Sequence, residues 1–196
     1  PTSLSALINS VFEIARNYNL QEEHFYFSCL RSYQEMNDNY FEDIEQAVDN
    51  FRAEAGLTHP ELLTANQYAQ LLKEQFNYRL QETDFSDYPK LRGFRSVFIK
   101  GEQPTLLFNS RLTEQQKIFL FGKELGFAYM KITKRPTTTS WLKVESFDHV
   151  MNNFKAAYFA QALHIHHVPL MKDLEHFFKQ TKWKPEMLVS LLEKYN

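Results

Sequence analysis

Residues 123–127 read Lys-Glu-Leu-Gly-Phe inside an amphipathic run that opens at Leu112 and Thr113. Two histidines four residues apart project from one helix face onto a metal, and a glutamate beside the first activates the bound water. This stretch keeps that spacing and changes the chemistry. Lys123 and Phe127 stand at the two ligand positions. An ammonium repels a cation, and a phenyl ring has no lone pair to donate. Glu124 alone is of a reactive type, and a lone helical glutamate is by default a solvated or paired side chain.

A second cluster, His-Ile-His-His, supplies His164, His166 and His167, with His149 upstream and His176 downstream. His164 and His167, three apart, would share a helix face. Pro169 follows at once, and no acidic or cysteine residue adjoins them in sequence. A helix C-terminus, where the dipole favours imidazolium, accounts for them without a metal. Cys29 sits among apolar and aromatic residues and reads as buried and inert. The five glycines form no phosphate loop, and Ser140 and Ser146 lack a nucleophile elbow.

The chain has 196 residues, enough for one large domain or a medium one with a helical appendage. Hydrophobic residues make up 43% and aromatics 15%, which excludes a disordered acidic segment. The 18 Phe and 10 Tyr point to a core or cavity lined by rings. Net charge is -2 without a block of like charges, so there is no electrostatic footprint for a phosphate backbone. A single cysteine excludes an intrachain disulfide framework and fits a reducing cytoplasm. No basic leader and no apolar run of roughly 18 residues is present, so a cytoplasmic protein without membrane partners is expected. Pro1 at the start and a helical pattern running into the last residues suggest a segment of a longer protein.

Leu4, Leu7, Ile8, Val11, Phe12 and Ala15 recur at helical spacing, as do Phe41, Ile44, Val48 and Phe51 before Gly56, with a further helix between them. Residues 1–57 are therefore expected to form a helical segment for interaction, dimerisation or linkage. A new unit, 58–196, follows. Thr64 with Gln67 has capping-box spacing ahead of a helix from Ala65 to Phe76. Two β-rich runs flank Gly101-Glu102-Gln103-Pro104 and predict an antiparallel pair, with a third strand near Tyr78 to Gln81. Thr113 and Gln116 repeat the capping box and open a helix to about Ile132. Its apolar positions, Ile118, Phe119, Phe121, Leu125 and Ala128, run nearly all round, as in a buried helix. A polar loop with Pro136 follows. Ser146 caps the next helix, which Pro169 is expected to end. Two amphipathic helices finish the chain, the second with Pro185 in its first turn.

The order of capped helix, strand pair, "RLTEQQKIFLFGKELGFAYM", loop and "SFDHVMNNFKAAYFAQALHI" resembles the ImmA/IrrE metallopeptidase-like domain. The matches are Glu124-Leu125-Gly126, Phe159-Ala160 and the Asn109-Ser110-Arg111-Leu112 stretch before the helix, over about Thr58 to Val168. The resemblance implies an α+β, predominantly helical fold: a degenerate zincin-like domain with a small antiparallel sheet, preceded by a helical segment. The family's third ligand, an acidic residue, falls near Lys155. All three ligand positions are thus non-ligating, which implies a pseudo-peptidase with no metal or cofactor and a vestigial Glu124. Such domains are often fused to a helix-turn-helix of the XRE type, some in short-chain fatty acyl regulators.

The resemblance therefore implies the non-catalytic sensor or effector region of a bacterial regulator. A homo-oligomer is expected, reaching DNA only through a domain outside this chain. Lys123, Glu124, Phe127, Asn152, Lys155 and Phe159 are the candidates to contact an anionic or acyl ligand. The plainer alternative is that Lys123 and Lys155 pair with Glu124 in a retired site. Two other readings stay open: a metallopeptidase with non-standard ligands, such as Glu124 with the histidine cluster, and a structural dimerisation module.

Overall fold

The computed structural model describes residues 11, 13–14, 22–57, 62–138, 146–182 and 184–195. The fold is α+β and predominantly helical. Among the described residues it contains seven α-helices: α1 (Glu22–Met36), α2 (Glu42–Glu54), α3 (Ala65–Phe76), α4 (Glu114–Tyr129), α5 (Phe147–His164), α6 (His167–Phe178) and α7 (Pro185–Lys194). Of the first expected helix, Leu4, Leu7, Ile8, Phe12 and Ala15 lie outside the described residues.

Helix starts follow the caps. Thr64 and Thr113 each accept from the backbone amide three residues on, while Gln67 and Gln116 return a bond to the cap amide. Ser146 accepts from the His149 amide and opens α5. Glu114, in the first turn of α4, also accepts from the Ala65 amide at 2.9 Å, so one helix start braces the other. The expected end of α5 needs correction. It stops at His164, and Pro169 sits in the first turn of α6, where a missing amide hydrogen costs nothing. Helix α4 also ends earlier than expected, at Tyr129, and its Phe119 is exposed rather than buried.

The sheet has three strands, β1 (Arg79–Thr83), β2 (Ser96–Ile99) and β3 (Thr105–Asn109), in the order β1-β3-β2. The β2–β3 pair is antiparallel, as its short turn demands. β1 runs parallel to β3, with Arg79 opposite Thr105 and Thr83 opposite Asn109, so the sheet is mixed rather than antiparallel throughout. The third strand lies one residue beyond Tyr78. Residues 84–95, including two 3₁₀ turns, cross from β1 to the far side of β3.

Phe41, the N-cap of α2, and Ile44, Val48 and Phe51 within it belong to the same core as Leu72 of α3, Leu106 of β3, Leu125 of α4 and Phe159 of α5. Phe51, Tyr129 and Phe159 meet ring to ring, with centroids 5.1 to 6.0 Å apart. The aromatic excess in the composition therefore goes into packing. Arg52 is buried in this region and donates to the carbonyls of Leu163 at 3.3 Å and Leu57 at 3.2 Å, tying α2 to the last turn of α5.

Helices α4 and α5 make the most intimate contact, and glycine sets their separation. A Cβ on Gly126 would lie 3.1 Å from the Ala156 carbonyl oxygen and 3.1 Å from Phe159 Cβ. A Cβ on Gly122 would meet Ala160 Cβ at 3.2 Å and Tyr68 Cε1 at 3.3 Å. The Gly126 and Phe159-Ala160 pattern is thus a packing device. Gly126→Ala should destabilise the protein even though alanine gains about 1 kcal/mol in helix propensity, because overpacking costs about 1–3 kcal/mol. Its clash is with backbone and a fully buried ring. Gly122→Ala, which meets side-chain atoms, should lose less, and urea denaturation of both variants measures the order.

Candidate functional site

Glu124 lies on the buried face of α4 at 3% exposure, where an unpaired carboxylate would carry a heavy desolvation penalty. Its partner is Arg135, five residues beyond the α4 C-cap at Met130. Nη1 donates to Oε2 at 2.7 Å and Nη2 to Oε1 at 2.5 Å, a two-pronged match between planar groups. Both side chains are nearly enclosed, at 8% and 4% exposure. Tyr78 adds a third bond, its hydroxyl donating to Glu124 Oε2 at 3.2 Å, and burial holds that phenol well above its usual range.

Two rings cover the guanidinium. Arg135 Cζ lies 4.0 Å from the Phe98 centroid and 3.9 Å from that of Phe127. Rings this close to one carbon fit only on opposite faces of the guanidinium plane, giving a double cation–π stack. Phe127, at the position where a metal site would need a second imidazole, therefore clamps an internal cation. Arg135 Nε is buried with no hydrogen-bond partner.

Arg135 is delivered by a strap, residues 134–138, fastened on both sides. Asn152 of α5 donates to the Lys134 carbonyl at 2.7 Å, and the Lys134 ammonium meets Asp148 at 3.1 Å. On the other side the Phe98 amide donates to the Thr137 carbonyl at 2.7 Å, and Val97 bridges to Thr138. Asn152 thus acts on Glu124 indirectly, by fixing the backbone that carries Arg135.

The structure places the other sequence candidates as follows. Lys123 sits with Nζ 5.8 Å from the Phe127 centroid, and burial pulls its ammonium down to about 8, against the attraction of Glu124. The expected lysine–glutamate pair is an arginine–glutamate pair instead. Among the described residues, no hydrogen bond or ion pair engages Lys123 or Lys155. Phe159 is wholly enclosed in the core against Gly126. Arg135 was missed in the sequence because nothing local marks it. The available signal was Glu124 itself, an acid on an otherwise apolar helix face that needed a cation.

The histidines divide. His164 ends α5 half-buried, with Nδ1 unpartnered, and burial lowers its pKa. His166 and His167 begin the next helix, so His164 and His167 do not share a helix face. The absence of an acidic neighbour is also corrected: Asp49 Oδ1 lies 3.2 Å from His166 Nε2, and Glu45 Oε2 lies 3.7 Å from His167 Nδ1. Cys29 is half-buried rather than buried, and burial raises its thiol pKa, which keeps the thiolate scarce. Among the described residues no helix is long and apolar enough to cross a membrane.

No family model and no curated protein matches this chain. Among solved structures, it resembles a Mycobacterium tuberculosis transcriptional regulator with a TM-score of 0.62 at 16% sequence identity, over 87% of this chain and 48% of that one. The chain spans about half the length of that protein. The likeness is one of fold.

Breaking a buried, hydrogen-bonded ion pair from one side costs about 3–5 kcal/mol, whereas an apolar pair of similar volume is often neutral. Glu124→Leu and Arg135→Met should each lower stability by that amount in denaturant unfolding, and the double variant should lose less than either. Lys123 gives a pH test. Its folded pKa of about 8 lies below the ordinary 10.5, so between those values the unfolded chain binds more protons and stability rises with pH. Lys123→Met should flatten the rise across that window, measured by thermal melts at several pH values.

Proposed function

We propose that this chain is the non-catalytic sensor or effector region of a bacterial XRE-type transcription regulator, built on a degenerate ImmA/IrrE-like domain. One observation carries the reading. The only carboxylate left from the peptidase constellation, Glu124, is gripped on both oxygens by Arg135 and bonded by Tyr78, which fills three of its roughly four acceptor positions, and at 4% side-chain exposure it is shut away from the water it would have to activate. Lys123 and Phe127 complete a site with no metal ligand on that helix face. The fold likeness to a transcriptional regulator supports the same direction, and contact with DNA belongs to a domain outside this chain.

The retired site is not charge-neutral. Arg135 balances Glu124, which leaves the Lys123 ammonium as a surplus cation with no ion-pair partner. An anionic ligand with an apolar portion, such as a short-chain acyl thioester, suits this surplus beside aromatic rings. In this reading, binding at Lys123 shifts the strap that carries Arg135.

Isothermal titration of the wild-type chain with a short-chain acyl-coenzyme A should show saturable binding. Lys123→Met should weaken it about tenfold or more, the loss of one hydrogen bond to a charged group. Glu124→Gln should hydrolyse no less peptide than wild type, because neither has activity to lose. Absence of acyl-coenzyme A binding would retire the ligand assignment. Peptide cleavage with zinc that is lost in Glu124→Gln would overturn the non-catalytic reading.

A further inference from the structure

The junction between α5 and α6 faces α2, and the residues that meet there are of metal-ligating types. One oxygen of Asp49 and one nitrogen each of His166 and His167 all lie within 4.8 Å of one another. A tetrahedral zinc ion with bonds of about 2.0–2.1 Å has ligand atoms roughly 3.3 Å apart. The Asp49–His166 separation, 3.2 Å, already matches such an edge, and a small side-chain rotation brings in the third atom. Glu45, one turn before Asp49 on α2, turns Oε2 toward His167 Nδ1 at 3.7 Å.

The surroundings support this use. Tyr158 donates its hydroxyl to Glu45 Oε1 at 2.8 Å, which orients the carboxylate and leaves its other oxygen directed at His167. His166 and Glu45 are largely enclosed, with side-chain exposures of 19% and 13%, whereas Asp49 and His167 are about 40% exposed and can turn. Beside them lies a depression of about 530 Å³, lined in part by Asp49, His166, Arg52 and Lys172, which leaves space for a water or exogenous ligand. Arg52 and Lys172 oppose a cation. The Arg52 guanidinium is directed to the Leu57 and Leu163 carbonyls, and two carboxylates face the histidines.

We propose that Asp49, His166 and His167, with Glu45 in reach, form a site for a divalent transition metal of the zinc class. Two imidazoles and a carboxylate suit such ions, and three protein ligands leave one position open. The metal joins α2 to the α5–α6 turn, and so couples residues 42–54 to the C-terminal helices. The site shares no residue with the Glu124–Arg135 pair and does not depend on the function proposed above.

The test uses the untagged chain, stripped with chelator, and the metal alone. Co²⁺ should give visible d–d absorption at one equivalent, and Zn²⁺ should displace it. At a hundredfold excess over its dissociation constant, Zn²⁺ should raise Tm by roughly 5–10 °C. His166→Gln, which can keep a hydrogen bond to Asp49, should lose binding at least tenfold while circular dichroism stays unchanged, and Asp49→Asn should weaken it similarly. His176→Ala and Glu124→Gln should bind as wild type. No Co²⁺ spectrum with no Tm shift, or full binding in both His166→Gln and Asp49→Asn, overturns the proposal. Zinc lost in Glu124→Gln but kept in His166→Gln also overturns it, and points to the other site.

Discussion

A carboxylate on the inward face of α4 is the constraint around which much of this protein is arranged. Glu124 is 3% exposed, and in so dry a place a charge survives only with a partner that matches it in geometry as well as sign. Arg135 meets both conditions, but an arginine side chain reaches only so far. The chain after α4 must therefore turn back along the sheet and be held there. Asn152, Asp148, Phe98 and Val97 do the holding, so a single ion pair draws α4, α5, β2 and their connecting segment into one assembly.

The same assembly depends on how near α4 and α5 come to each other. Gly122 and Gly126 face Ala160 and Phe159 across the helix interface, and neither position has room for a side chain without displacement of its neighbours. That proximity also sets Asn152 within reach of the Lys134 carbonyl. Gly126, Phe159 and Ala160 thus serve the scaffold here. Phe127 serves the enclosed arginine by covering its guanidinium, while the Lys123 ammonium is repelled by it.

Local signals read well from the sequence, and distant ones did not. Both capping boxes, the Ser146 cap, the β2–β3 turn and the Pro185 start are fixed by residues within a few positions of one another. The parallel pairing of β1 with β3 skips a strand, and no short-range pattern specifies it. Arg135 lies 11 residues from Glu124 in a polar stretch with no periodicity. Asp49 lies 117 residues from His166, so a search of the sequence around the histidines could not find it. Pro169 misled because proline stops a helix and also begins one; the choice rests on where the preceding amides find carbonyls.

The strap over β2 has an effect on the sheet as a polymerisable surface. A small sheet normally exposes two rows of unpaired backbone groups, either of which can recruit a strand from another molecule. Here Phe98 and Val97 spend backbone groups of one border on Thr137 and Thr138. At the opposite border, β1 presents exposed Arg79 and Glu82, whose charges disfavour edge pairing with another copy. One margin is closed by pairing and the other by charge, so the loop that neutralises a buried acid also guards the fold against strand-by-strand aggregation.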